Sequence, residues 1–192
     1  MNRMAGHAFV ALVLALATVS ARAEPVRYAI DPTHTFVNFE ARPLGLSALR
    51  GRFDRKEGSV TLDRAAKTGR AEITIDTRSV STGIATIDVA LKGKDFLDTE
   101  AFASASFVGE TFRFDGDKVA GVEGTLTLRG KAQPVVLRAL HYNCYTNPLF
   151  RREVCGGDFE ATLERSAFGI TAALPGVPDP IRLLVQIEAI RQ

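Results

Sequence analysis

Residues 28–190 alternate between apolar and polar side chains over most of their length. "RAEITIDT" sets Ala71, Ile73 and Ile75 against Glu72, Thr74 and Asp76. "DFEATLE" sets Phe159, Ala161 and Leu163 against Glu160, Thr162 and Glu164. "IRLLVQIEAI" and "VEGTLTLRG" follow the same rule, and "PVVLRALHY" follows it less cleanly. A period of two places every second side chain on one face, so these runs read as strands with one wet face and one dry one. Turn-forming clusters separate them: "DRKEG", "DRAAKTG", "DGDK", "RGKAQP" and "LPGVPDP". "RFDGDKVAG" reads as a hairpin with Asp115-Gly116 at its tip. The runs number about eight, enough to close a barrel wide enough for one small ligand. An open sandwich is the other architecture this pattern allows.

One segment breaks the rule. In "IATIDVALKGKDFLD", Ile84, Ile87 and Leu91 follow helical spacing, and Gly93 can end the turn. Upstream, the strand that starts near His34 runs into a loop carrying Leu44, Leu46 and Leu49. Apolar residues outside the alternation also include Phe96, Leu97, Phe102, Phe107, Phe150, Phe168 and Ile170. Each one could simply plug the barrel. Together they suggest a hydrophobic mouth.

The N-terminus reads differently. Arg3 precedes an apolar run from Ala8 to Val19, and Ala21-Arg22-Ala23 has a small-x-small cleavage pattern. This predicts a secretory signal peptide over residues 1–23 and a single folded domain over 24–192, placed in the periplasm. An uncleaved anchor is the alternative, but the run falls short of the roughly 20 apolar residues that span a bilayer. Removing that segment takes away Arg3 and Arg22 and no acidic residue, leaving 22 basic against 22 acidic side chains. Such a balance, with no basic stripe, gives no footing for nucleic acid.

Cys144 and Cys155 are the only cysteines in the sequence. In an exported chain such a pair tends to join. It would staple two strands and stabilise by roughly 2–3 kcal/mol on the loop-entropy account. The rival, a metal or redox pair, lacks C-x-x-C spacing, and His141 is the one nearby histidine.

Chemistry finds little to work with. After the leader only His34 and His141 remain, and H-E-x-x-H and glycine-rich phosphate loops are missing. A triad of Ser47 or Ser166 with His34 and Asp31 can be drawn, as it can in most chains of this length. Asp88, Asp95 and Asp98 read as helix-capping or solvated. His34, after "IDPT", reads as a hydrogen-bonding residue closing one barrel end, with a weaker reading as a contact to a ligand's polar head. No cofactor or metal is expected.

Five pieces occur in order: "YAIDPTHTFVNFEARPLGLSALRGRF", "AEITIDTRSVSTG", "LKGKDFLDTEAFASASF", "VEGTLTLRGKAQPVVL" and "LERSAFGI". Together they resemble the YceI-like family of exported proteins, and the "NCYTNPLFRREVCGGDFEATLERSAFG" stretch resembles its disulfide-bearing branch. The resemblance implies an all-β fold, an eight-stranded antiparallel lipocalin-like barrel with one short helix near the mouth. It also implies a long-chain isoprenoid-like lipid as partner, polyisoprenoid or isoprenoid quinone, held as a carrier or reservoir holds it. No enzyme activity follows from it. Transient membrane contact and a homodimer stay open. A barrel filled by its own side chains, serving stress protection or protein interaction, is the alternative.

The match has departures. Family members often carry a second His before the glycine of the first loop, where this chain has Arg42-Pro43-Leu44-Gly45. They often carry Arg-Asp-x-His-Leu in the helix, where Ile87 and Ala90 stand at the Arg and His places. A less polar pocket end favours a weakly polar head, such as a quinone, over a diphosphate. The residues expected to line the cavity or its mouth are Phe39, Leu44, Leu46, Ile73, Ile87, Leu91, Phe96, Phe107 and Phe168. Phe39 and Ile73 lie on the apolar faces of their strands, Ile87 and Leu91 share a helical face, and the rest lie where strands meet loops.

Overall fold

The computed structural model describes residues 24–192; the segment read as a signal peptide, residues 1–23, lies outside the described residues. Among the described residues the chain forms eleven strand segments and one α-helix. The segments are β1 (Val26–Ile30), β2 (Phe36–Ala41), β3 (Leu49–Phe53), β4 (Lys56–Asp63), β5 (Thr68–Asp76) and β6 (Val80–Ser81). After helix α1 (Ala85–Lys92) come β7 (Ser104–Asp115), β8 (Lys118–Leu128), β9 (Lys131–Thr146), β10 (Glu153–Glu164) and β11 (Pro180–Arg191).

Eight of these close a ring in the order β1-β4-β5-β7-β8-β9-β10-β11, and β11 returns to β1 with Tyr28 opposite Arg191. All neighbours run antiparallel. The three short segments continue ring strands rather than adding new ones. β2 follows β1 and pairs with the first half of β11, β3 pairs with β2, and β6 pairs with β3. The barrel therefore has eight staves, and the first three are each broken once.

All three breaks fall at one level, and each begins near an aspartate. Asp31 Oδ1 accepts from the Thr33 amide and hydroxyl, and Asp76 Oδ1 accepts from the Arg78 amide. Backbone bonds stitch the level together: Asp54 N donates to Ser79 O, and Asp76 N donates to Arg55 O. Between β1 and β2, the Asp31 amide and the Thr35 hydroxyl both donate to Glu188 O of β11. The buried polar backbone at the breaks is thereby satisfied.

The apolar face of each strand points inward. Tyr28, Leu62, Phe107, Val122, Leu126, Val135, Phe159 and Ala189 form one buried cluster. Where alternation is imperfect, the register slips. The β9–β10 pairing shifts between Asp158 and Phe159, so Leu137 and Tyr142 both face the interior while Leu140 is exposed. A similar slip near Arg113 lets Val119 and Val122 both line the core. An extra residue on one strand does this by flipping the side-chain phase. Towards the other end β6 pairs, among the strands, only with β3, and the segment from α1 to Phe102 lies between β6 and β7 in sequence. Leu97 there packs against Val80 and Ile170.

Candidate functional site

The interior divides into two apolar chambers stacked along the barrel. The lower one is lined by residues including Val60, Ile73, Phe107, Val122, Phe159 and Ile187. The upper one is lined by residues including Phe39, Phe53, Leu128, Leu163, Phe168 and Ile181. Leu183 belongs to both walls. The waist between them is the layer of Val37, Ile75 and Ala105, level with the strand breaks, against which Phe53, Leu128 and Val185 pack.

The floor of the lower chamber is polar. Tyr28 OH donates to Glu153 Oε2 at 2.6 Å, and Arg64 Nη2 donates to Glu153 Oε1 at 2.8 Å. The same nitrogen lies 3.0 Å from Cys155 Sγ and 3.2 Å from Cys144 Sγ. The two cysteines are joined as a disulfide. They sit directly opposite one another on β10 and β9, inside the strands rather than in the loop between them. Burial first, then the bond to Glu153, pushes the Tyr28 hydroxyl up to about 12, so it stays a donor. Burial likewise raises Tyr142. For Glu153 burial opposes ionisation, but bonds from Tyr28 and Arg64 outweigh it and hold the carboxyl below its ordinary value. Cys144, Cys155 and Glu153 bring three metal-type donor atoms together. The Arg64 guanidinium touches all three, at the place a cation would take, and the sulfurs are bonded to each other.

The mouth is built by three segments. A 3-10 turn, Pro43–Gly45, follows β2, and its Leu44 amide donates to Gly176 O of the loop before β11. That loop is held by Arg165, a buried side chain in the upper chamber wall. Its guanidinium donates to the carbonyls of Ile170, Ala172, Val177 and Pro178, which spread its charge over four dipoles. Asp179 closes the same loop by accepting from the Ser166 amide and hydroxyl. Helix α1 supplies Thr86, Ile87, Ala90 and Leu91 to the upper wall. It lacks a side-chain cap at Ile84, but Asp88 accepts from the Thr82 amide and hydroxyl just before it, and Gly93 follows its last turn.

Each residue expected at the cavity has a definite place. Phe39, Ile87, Leu91, Phe96 and Phe168 line the upper chamber, and Ile73 and Phe107 line the lower one. Leu44 and Leu46 line neither; they stand on the rim, 77% and 74% exposed. Ile84, Val89 and Leu174 are also exposed apolar residues of these mouth segments. His34 differs from expectation. It sits in the turn between β1 and β2, its side chain 62% exposed, and so closes no barrel end. Its Nδ1 pairs with Asp31 Oδ2 at 2.8 Å, a bond that raises its pKa. The Ser166 hydroxyl goes to Asp179, not to this pair. Tyr28, Arg64, Tyr142 and Glu153 at the floor and Arg165 at the mouth were not anticipated. Tyr28 and Arg165 do fall inside two of the recurrent pieces, "YAIDPTHTF" and "LERSAFGI".

Comparison with known proteins agrees with this architecture. A UPF0312 protein of Ectopseudomonas mendocina is 33% identical over 192 residues, covering 98% of this chain and all of the relative. BcnA of Burkholderia cenocepacia superposes with a TM-score of 0.69 at 24% identity, over 83% of this chain and 98% of that one. A polyisoprenoid binding domain from Saccharophagus degradans gives 0.59 at 16% identity, over 87% and 99%. Residues 28–189 match the YceI-like domain, from the first inward tyrosine to the last inward alanine of the barrel. The chain belongs to the YceI-like domain family.

Proposed function

We propose that this barrel binds a long apolar isoprenoid-like lipid and serves in the periplasm as its carrier or reservoir, a binding protein rather than an enzyme. The observation that carries the reading is the in-line pair of chambers, apolar along their walls and open at a greasy rim. β11 spans 12 residues from mouth to floor. At about 3.3 Å per residue and a tilt near 40°, that is roughly 30 Å along the axis, the length over which the two chambers are stacked. Each methylene taken out of water contributes roughly 0.8 kcal/mol, so a tail binds without specific polar contacts. The polyisoprenoid-binding neighbour of similar fold supports the ligand class. Ile87 and Ala90 in the upper wall favour an isoprenoid quinone over a diphosphate, because nothing at those positions can pair with a dianion.

Native mass spectrometry and lipid extraction of protein purified from a periplasmic fraction test this reading. Bound isoprenoid lipid is expected at up to one per barrel. Protein that carries none, and takes up neither a polyprenol nor a ubiquinone when they are added, would favour the barrel filled by its own side chains.

A further inference from the structure

The disulfide lies where a structural staple alone does not require it to lie. Cys144 and Cys155 face each other across β9 and β10, which already share a long antiparallel ladder. Both sulfurs face the same guanidinium, Arg64 Nη2, at 3.2 and 3.0 Å. Disulfide sulfur is neutral and a weak acceptor, and with the bridge intact the ion-pair partner of Arg64 is Glu153, at 2.8 Å. A thiolate in the same place would be a second anion on this guanidinium, sharing it with Glu153. Tyr142 adds a second donor, its hydroxyl 3.4 Å from Cys144 Sγ, and the bridged sulfur has no proton to give in return. Neighbouring cations lower thiol pKa values, and whatever stabilises the thiolate eases reduction of the disulfide.

The two sulfurs are not equivalent. Cys155 is only 5% exposed and lines the lower chamber, whereas Cys144 is partly exposed. A reagent arriving from solvent therefore meets Cys144 first. The leaving sulfur is then Cys155, which is in contact with the guanidinium.

We propose that Cys144–Cys155 is an exchangeable, redox-active disulfide whose partner is a dithiol, with Arg64 receiving the Cys155 thiolate as it leaves. One thiolate of the dithiol attacks Cys144 Sγ. A new sulfur–sulfur bond forms, the Cys144–Cys155 bond breaks, and its electron pair stays on Cys155 Sγ. The second thiol of the partner gives its proton to water and attacks its own mixed-disulfide sulfur, and Cys144 leaves as thiolate. The partner loses two electrons and two protons and becomes a disulfide; Cys144 and Cys155 gain both electrons and are protonated from solvent as their thiol pKa values dictate. Arg64 is a positioning residue here, and this activity stands independently of the lipid reading.

The test is redox equilibration of the purified, folded protein. It is incubated in mixtures of reduced and oxidised dithiothreitol, acid-quenched, alkylated and weighed by mass spectrometry, with circular dichroism as the folding control. Wild type is expected to be reduced while its strands remain intact. Arg64→Gln should move the equilibrium about tenfold towards the disulfide, about 30 mV for this two-electron couple. Tyr142→Phe keeps the ring and should move it a few-fold in the same direction, and it serves if Arg64→Gln does not fold. Glutathione trapped on the wild type should map to Cys144. If the bridge opens only on unfolding, or if every folded one of these variants keeps the wild-type constant, the pair is a staple and the proposal fails. An adduct mapped to Cys155 would overturn the assigned order of attack.

Discussion

Gly51 lies opposite Phe39 across β2 and β3, and a Cβ placed on it would fall 2.3 Å from Phe39 Cζ. The missing side chain makes the bay in which the ring rests. Gly51→Ala must tip the ring into the upper chamber, so we expect a loss of about 1–3 kcal/mol in denaturant unfolding and lower lipid occupancy. Phe168, 2% exposed, is a wall residue of the upper chamber and is packed into the main core cluster. Phe168→Ala should cost about 3–5 kcal/mol, read from the same unfolding midpoint. On the rim the balance reverses. Leu46→Asp should shift stability by less than about 0.5 kcal/mol because the site is already wet. It should nonetheless strip the co-purified lipid, since an unpaired carboxylate beside a passing hydrocarbon is costly. If Leu46→Asp folds and arrives as fully loaded as wild type, the doorway lies elsewhere. Wall residues such as Phe39 and Ile73 are legible in the sequence because strand alternation declares their face. The bay at Gly51 and the floor cluster are not. Tyr28 and Glu153 meet across 125 positions and Arg64 and Glu153 across 89, and only the closed register brings them together.

The three broken staves give the elements their own behaviour. Hydrogen bonds from Arg78 and then Arg55 hold the Asp76 carboxyl at about 2, with burial opposing them. That lies below the unfolded value near 3.9. Its contribution, on the order of 2 kcal/mol at most, is present above pH 4 and lost as pH falls through about 2. Asp76→Asn should therefore melt below wild type at pH 7, and the gap should close by pH 2. An equal gap at both pH values would show that the break is held by something else. Helix α1 is the opposite case. None of its residues is buried, although four of them touch the upper chamber. We expect its amides to exchange with deuterium well before those of β8, β9 and β10, and bound lipid to slow them. The helix is readable from its 3.6-residue period and terminal glycine. The breaks are only partly readable: "DRKEG" announces a turn, but the same signal also punctuates true hairpins, and "RAEITIDT" reads straight through as strand. Nothing local tells a kink within one stave from a turn between two.

At the scale of the molecule, closure depends on pairing β1 with β11, residues more than 150 positions apart. Such long-range contacts make slow folding the expectation. The bridge between β9 and β10 then matters for the unfolded chain as well. Cys144→Ser should lower the melting temperature by an amount equivalent to about 3 kcal/mol on the loop-closure account, measured under oxidising conditions. Strand number was legible in the sequence through periodicity, while the choice of barrel over sandwich came from the family resemblance. The division into two chambers was not legible, because it arises where three separate breaks align. The β1–β11 seam also settles where the described chain ends lie. Arg27 O accepts from the Gln192 amide at 2.9 Å, beside the Arg64 floor and at the far end from the mouth. Anything fused, tethered or immobilised at Gln192 thus grips the barrel as a glass is gripped by its foot, with the opening turned outward, roughly 30 Å away. Because Arg27 and Gln192 adjoin, these two positions can also be joined by a short linker and the chain recut at the Gly116–Asp117 tip, giving a permuted barrel whose new ends again avoid the opening.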